Sequence, residues 1–93
     1  MTVQHKKTGK GGMFFVEVEN EVAAELIYVM AGEKMIIEHT EVDDALRGQN
    51  IGFQLVQASV EYAREHGMKI LPVCPFAAAV FGKKPDFADV LGQ

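Results

Sequence analysis

Cysteine occurs once in this chain, at Cys74. One thiol excludes an internal disulfide and fits a reducing, cytoplasmic setting. Basic charge is also scarce. Nine Lys and Arg stand against 13 Asp and Glu, a formal net charge of −4 at pH 7, which argues against a general nucleic-acid binder. The one basic cluster, Lys6, Lys7 and Lys10, is interleaved with Gly9, Gly11 and Gly12 and reads most simply as a solvated turn. Its "GKGG" lacks the G-x-G-x-x-G spacing, and the helix behind it, that a dinucleotide fingerprint requires. No apolar run approaches the roughly 20 residues of a membrane-spanning helix. The opening "MTVQHKKTGKGG" has no apolar core like that of a secretory signal. Internal repeats, linkers and low-complexity tracts are missing too. What is present, 93 residues with 48% hydrophobic and 24% charged, suits one compact domain over residues 1–93.

Residues 13–18, "MFFVEV", are rich in β-formers and run into the turn-like "ENE". Residues 23–30 and 35–42 repeat the pattern, separated by "AGEK", in which Gly32 can take positive φ. Residues 2–5 can add a short strand ahead of them. The short connections predict an antiparallel meander, and the imperfect alternation fits a sheet partly covered on both faces. From Ile51 the period changes. Ile51, Leu55, Ala58 and Tyr62, widened by Val56, Val60 and Ala63, form a helical stripe opposite Gln54, Gln57, Glu61 and Glu65. Gly67 is a ready stop. "KILPVC", residues 69–74, reads as a buried strand, and "PFAAAVF" as a short helix with Pro75 in its first turn. The tail has room for one more turn of helix or a short strand. The fold class is α+β, a meander followed by α-β-α. A right-handed crossover makes the last strand parallel to residues 35–42.

Between strand and helix lies "LRGQNIG", residues 46–52. A strand, a glycine-containing loop and a helix N-terminus make an anion site, because the first helical amides lack intrahelical partners and the dipole favours negative charge. Gly48 and Gly52 allow close approach to the backbone, and Asn50 tolerates positive φ. The loop is not a P-loop, since it lacks the G-x-x-x-x-G-K-[ST] spacing.

"LRGQNIG" is similar to the acetyl-CoA pyrophosphate loop of the GNAT N-acetyltransferase superfamily, [QR]-x-x-G-x-[GA]. Arg47 and Gly52 match its first and last positions, while Asn50 stands where glycine is usual. Through "EHTEV", "AREHGMKILPVCPF" and "PDFADVL" most of the chain resembles a small GNAT-like group. The resemblance implies a truncated GNAT-like fold that uses acetyl-CoA. It also implies cofactor contacts from Val42, Arg47, Gly48, Gln49, Asn50, Ile51 and Gly52, and a pantetheine arm running between two splayed strands. Pro72 is an independent hint of the splay, since proline within a strand removes a ladder donor; an ordinary edge or bulge explains it equally well.

Amine acetylation needs a base for the ammonium and help at the departing thiolate. Glu38, His39 and Glu41 lie on the strand before the loop; histidine is the side chain most often used as a general base, although a structural role is the simpler reading of His39. On a regular strand Glu38 and Glu41 face opposite sides. Many GNAT enzymes place an acidic tyrosine on the helix after the last parallel strand, and "PFAAAVF" has none. Cys74 stands at the start of that helix instead. Helix amides favour a thiolate there, and a small buried hydrophobe is the alternative. Phe14, Phe15, Phe53, Tyr28 and Tyr62 read as core packing, with Phe53 also close enough to the loop to touch the cofactor. Cys74 and His39 are therefore the candidate catalytic residues, and no metal ligand set is expected. The resemblance lacks the extra helices that wall the acceptor site, so an open acceptor side is expected. That side would suit a protein or peptide amine, or a homodimer. A non-catalytic acyl-CoA-binding or protein-interaction module is the other reading.

Overall fold

The computed structural model describes residues 2–92. Strands β1 (Gln4–Thr8), β2 (Gly11–Val18), β3 (Glu21–Ala31) and β4 (Lys34–Val42) form consecutive hairpins. A short 3-10 turn, Asp44–Leu46, leads into helix α1 (Ile51–His66). Strand β5 (Lys69–Pro72), helix α2 (Pro75–Lys83) and a 3-10 segment, Pro85–Val90, complete the chain. The sheet order is β1-β2-β3-β4-β5, antiparallel except for the parallel β4–β5 pair. The expected α+β, GNAT-like arrangement is the one observed.

The core lies between one face of the sheet and the helices. Ala24, Leu26 and Tyr28 of β3 point inward and are buried, with Phe14 and Val16 beside them on β2 and Met35 and Ile37 on β4. From α1, Ile51, Leu55, Val56, Val60 and Ala63 meet that face. Each large aliphatic side chain there contributes about 1.5–3 kcal/mol by leaving water. The buried stripe is centred on Leu55, Val56 and Ser59, so Ala58 and Tyr62 flank it and are only half-buried. Ser59 is admitted because its hydroxyl donates to the Val56 carbonyl at 2.6 Å. The helix ends at Gly67, φ 66°, and the Met68 amide returns to the Ala63 carbonyl at 2.9 Å.

Several boundaries differ from expectation. β1 begins at Gln4 rather than residue 2 and carries Lys6 and Lys7, leaving only Lys10 of the basic cluster in a turn. Charged lysines on an edge strand discourage pairing with another chain. Lys6 lies on the outer face with its ammonium 5.8 Å from the centre of the Phe15 ring. Phe15 is thereby buried on the face opposite Phe14 and Val16, and this breaks the alternation of β2. β5 stops at Pro72 instead of residue 74, because the amides of Val73 and Cys74 both bond to the Ile37 carbonyl, at 3.1 and 3.0 Å. The ladder advances no further. The tail takes both expected forms, a 3-10 helix and then a bridge from Leu91 to Ile70.

Candidate functional site

The corner after β4 is built by local hydrogen bonds. Asp43 caps the 3-10 turn through its carboxylate, which accepts from the Ala45 amide at 3.0 Å. Leu46 is buried and anchors the loop to the core. Gly48 at φ 84° and Asn50 at φ 62° then reverse the chain so that α1 begins at once. Asn50 thus adopts the left-handed conformation that its short polar side chain permits. The Asn50 carbonyl accepts the Gln54 amide at 3.1 Å, and the amides before Gln54 have no intrahelical acceptor. They open onto a cleft of about 610 Å³ lined by the loop, Val42, Phe53 and Phe76. Gln49 belongs to the loop but not to that lining. Arg47 is exposed and pairs with Asp44, Nε to Oδ1 2.9 Å.

Gly52 keeps an ordinary right-handed backbone. What it needs is space. A Cβ at this position would lie 2.6 Å from Cζ of Phe76, so the ring rests directly on the first turn of α1. Sequence periodicity gave no sign of Phe76, because its place depends on how α2 crosses the start of α1.

β4 and β5 are paired from Lys34↔Lys69 to Ile37↔Pro72 and then separate. The expected splay is present. Pro72 sits where the edge reading also puts it. The Ile70 carbonyl faces away from β4 and accepts the Gly92 amide at 2.7 Å; Pro72, two residues on, turns its donorless nitrogen to the same outer side. Opposite the splay, β4 carries a bulge. Ile27 pairs with His39 and Tyr28 with Ile37, leaving Glu38 without a partner on β3. The regular strand assumed for Glu38 and Glu41 is therefore interrupted between them.

The bulge decides which face each candidate occupies. Thr40 pairs with inward-facing Leu26, and the Cys74 thiol donates to its hydroxyl at 3.4 Å. His39 and Glu41 pair with Ile27 and Glu25 on the outer face, where the His39 Nε2 is 3.2 Å from a Glu41 oxygen. His39 and Cys74, the two candidate catalytic residues, accordingly lie on opposite faces of β4, so the imidazole does not assist the thiol. Burial raises the thiol pKa of Cys74, but the Thr40 hydrogen bond and the backbone groups of Ala77, Phe76 and Thr40 outweigh it, and the net direction is downward. Glu25, His39 and Glu41 bring one ligand atom each within 4.8 Å of the others, a cluster the sequence pattern did not suggest. Thr40 was likewise missed, since its role follows from the bulge.

Among the described residues no helix is long and apolar enough to cross a membrane. The model of a family described as GCN5-related N-acetyl-transferase matches residues 13–90. No curated protein matches significantly by sequence. The solution structure of a GCN5-like N-acetyltransferase candidate from Staphylococcus aureus is similar at 34% identity and a TM-score of 0.76, covering 97% of this chain and 88% of that one. The ribosomal-protein-S18-alanine N-acetyltransferase of Escherichia coli shares the fold, with a TM-score of 0.66 at 16% identity over 83% of this chain and 53% of its own. So does a streptothricin acetyltransferase candidate from Bacillus anthracis, in complex with acetyl coenzyme A. Its TM-score is 0.59 at 18% identity, over 82% of this chain and 46% of that one. The chain thus spans about half the length of these two larger proteins.

Proposed function

The chain belongs to the GCN5-related N-acetyltransferase family, and from that premise we propose how its own residues hold acetyl-CoA and pass the acetyl group to an amine. One observation carries the proposal. The unpaired amides at the start of α1 open onto a cleft whose lining includes Phe76, two residues from the Cys74 thiol at the splay. The pyrophosphate lies on these amides, where the helix dipole favours its charge. Val42, Gly48, Asn50, Ile51 and Gly52 shape that cradle, and Gln49 supports the loop from outside the lining, its carbonyl accepting from the Gln54 side chain at 3.4 Å. Arg47 adds a charged donor once it exchanges Asp44 for phosphate. The pantetheine arm then leads toward Thr40 and Cys74.

The Cys74 thiol gives up its proton to solvent and its sulfur attacks the thioester carbonyl; its bond to the acetyl carbon forms as the bond to the CoA sulfur breaks, and that departing sulfur takes a proton back from solvent. A neutral amine next attacks the acetyl carbon. The C–N bond forms, the cysteine sulfur leaves, and it recovers a proton from the amine nitrogen. His39 works from the other face, taking the proton that makes the arriving ammonium neutral and releasing it to solvent before the amine reaches the acetyl group through the gap beyond the Ile37↔Pro72 pair. Glu41 and Glu25 beside it draw a cationic acceptor. Two-residue turns join the four strands of the meander, and the helices among the described residues pack on the inner face. That leaves the outer side of the sheet for a peptide amine or a second copy of the chain.

Incubation with acetyl-CoA and no acceptor tests the scheme. Intact-protein mass spectrometry should find one acetyl group, labile to hydroxylamine. Cys74→Ser should lose the label and keep acetyl-CoA binding by calorimetry, whereas Arg47→Ala should weaken binding several-fold, about what one exposed charged contact supplies. A wild-type protein that never acquires the label, alongside a Cys74→Ala variant that still acetylates amines, refutes the nucleophile. Failure to bind acetyl-CoA at all refutes the whole reading.

A further inference from the structure

Phe76 is the second residue of α2 and is 43% exposed. It is absent from the core cluster that holds its neighbours Cys74 and Ala77. Its ring lies instead over Gly52, whose missing side chain makes the contact possible. A large aromatic ring left in water beside an open cleft forgoes the burial that normally stabilises it. The position is also pointed. The ring covers the first turn of α1 and lines the cleft beside the unpaired amides, and Cys74, whose thiol is bonded to Thr40, stands two residues before it in the chain.

We infer that Phe76 is the residue that positions the arm of the cofactor, and that its ring rests on Gly52 only in the empty protein. The inference rests on the pyrophosphate reading of the loop given above. An arm joining a pyrophosphate on the α1 amides to a thioester at Cys74 must cross the space the ring now fills. The ring can yield, because it is an exposed side chain attached to a helix and has no partner on its solvent side. It turns off Gly52, admits the arm against the glycine, and closes on the methyl and methylene groups of that arm. Ring and arm then bury each other. Phe76 thereby selects ligands that carry the arm over nucleotides that carry only the phosphates.

Calorimetry with CoA and with 3′-phospho-ADP, the fragment that lacks the arm, tests this. Phe76→Ala should weaken CoA binding by about tenfold, the scale of one aromatic contact area, and leave the fragment unchanged. The chain has no tryptophan, so Phe76→Trp supplies a single fluorescent reporter. Its emission should shift on adding CoA and stay put on adding the fragment. Equal losses for both ligands, or a Phe76→Ala variant that binds CoA as wild type does, overturn the inference while leaving the loop reading intact. Wild-type protein that binds neither ligand overturns both.

Discussion

His5 shows how much of this molecule is decided between single side chains far apart in sequence. Its Nε2 lies 2.7 Å from the Tyr28 hydroxyl, its ring stacks on Phe14 at 4.2 Å, and the edge of Tyr62 meets it at 4.6 Å. Burial lowers the imidazole pKa below 6.5, and the charges of Lys7 and His66 lower it further. In the unfolded chain the same group titrates near its ordinary value, so falling pH protonates the unfolded state first. The stability His5 contributes is therefore complete above about pH 6.5 and is lost as pH falls from there toward the lowered folded value. Denaturation midpoints measured from pH 8 to pH 5 should drop less for His5→Gln than for wild type; parallel profiles would contradict the assignment. Phe14, Tyr28 and Tyr62 were legible as packing residues because they fall on inward positions of regular elements. Nothing in the local pattern around His5 marked it as their partner. Asn50 and Gly67 were legible for the opposite reason, since a need for positive φ is a property of the residue itself.

Elements were legible in proportion to their regularity. α1 follows from its period, and its two ends follow from Asn50 and Gly67, whereas the bulge in β4 depends on what β3 places opposite and has no signature of its own. That bulge is why the faces of His39 and Cys74 could not be read in advance. The β2–β3 hairpin gives a direct test of turn chemistry. Glu19 at φ 54° and Asn20 at φ 69° are both left-handed, as a tight hairpin with right-handed strand twist requires. Glutamate is a poor choice there, and asparagine followed by glycine is the favoured pair. Changing Glu19→Asn and Asn20→Gly together should raise stability by about 0.5–1 kcal/mol. Urea denaturation would check it, with an unchanged midpoint counting against the turn as described.

At the scale of the whole molecule, the half that carries the cleft is also the thinly held half. The four strands of the meander are joined edge to edge over five to eight pairs at each junction, but β5 meets β4 over only four pairs before the splay. Amide hydrogen exchange should therefore be fastest in β5 and the start of α2 among the strands and helices, and acetyl-CoA should slow it there most. Uniform protection across the sheet would count against that division. The strand order has a further meaning for how the protein is made. Neighbours in the sheet are neighbours in the sequence from β1 to β4, so each hairpin can close as soon as its second strand leaves the ribosome, at little cost in loop entropy. Only β5 must wait for a whole helix to be synthesised and folded back. The cleft, whose lining comes from both α1 and the start of α2, is consequently the last part of the molecule to form.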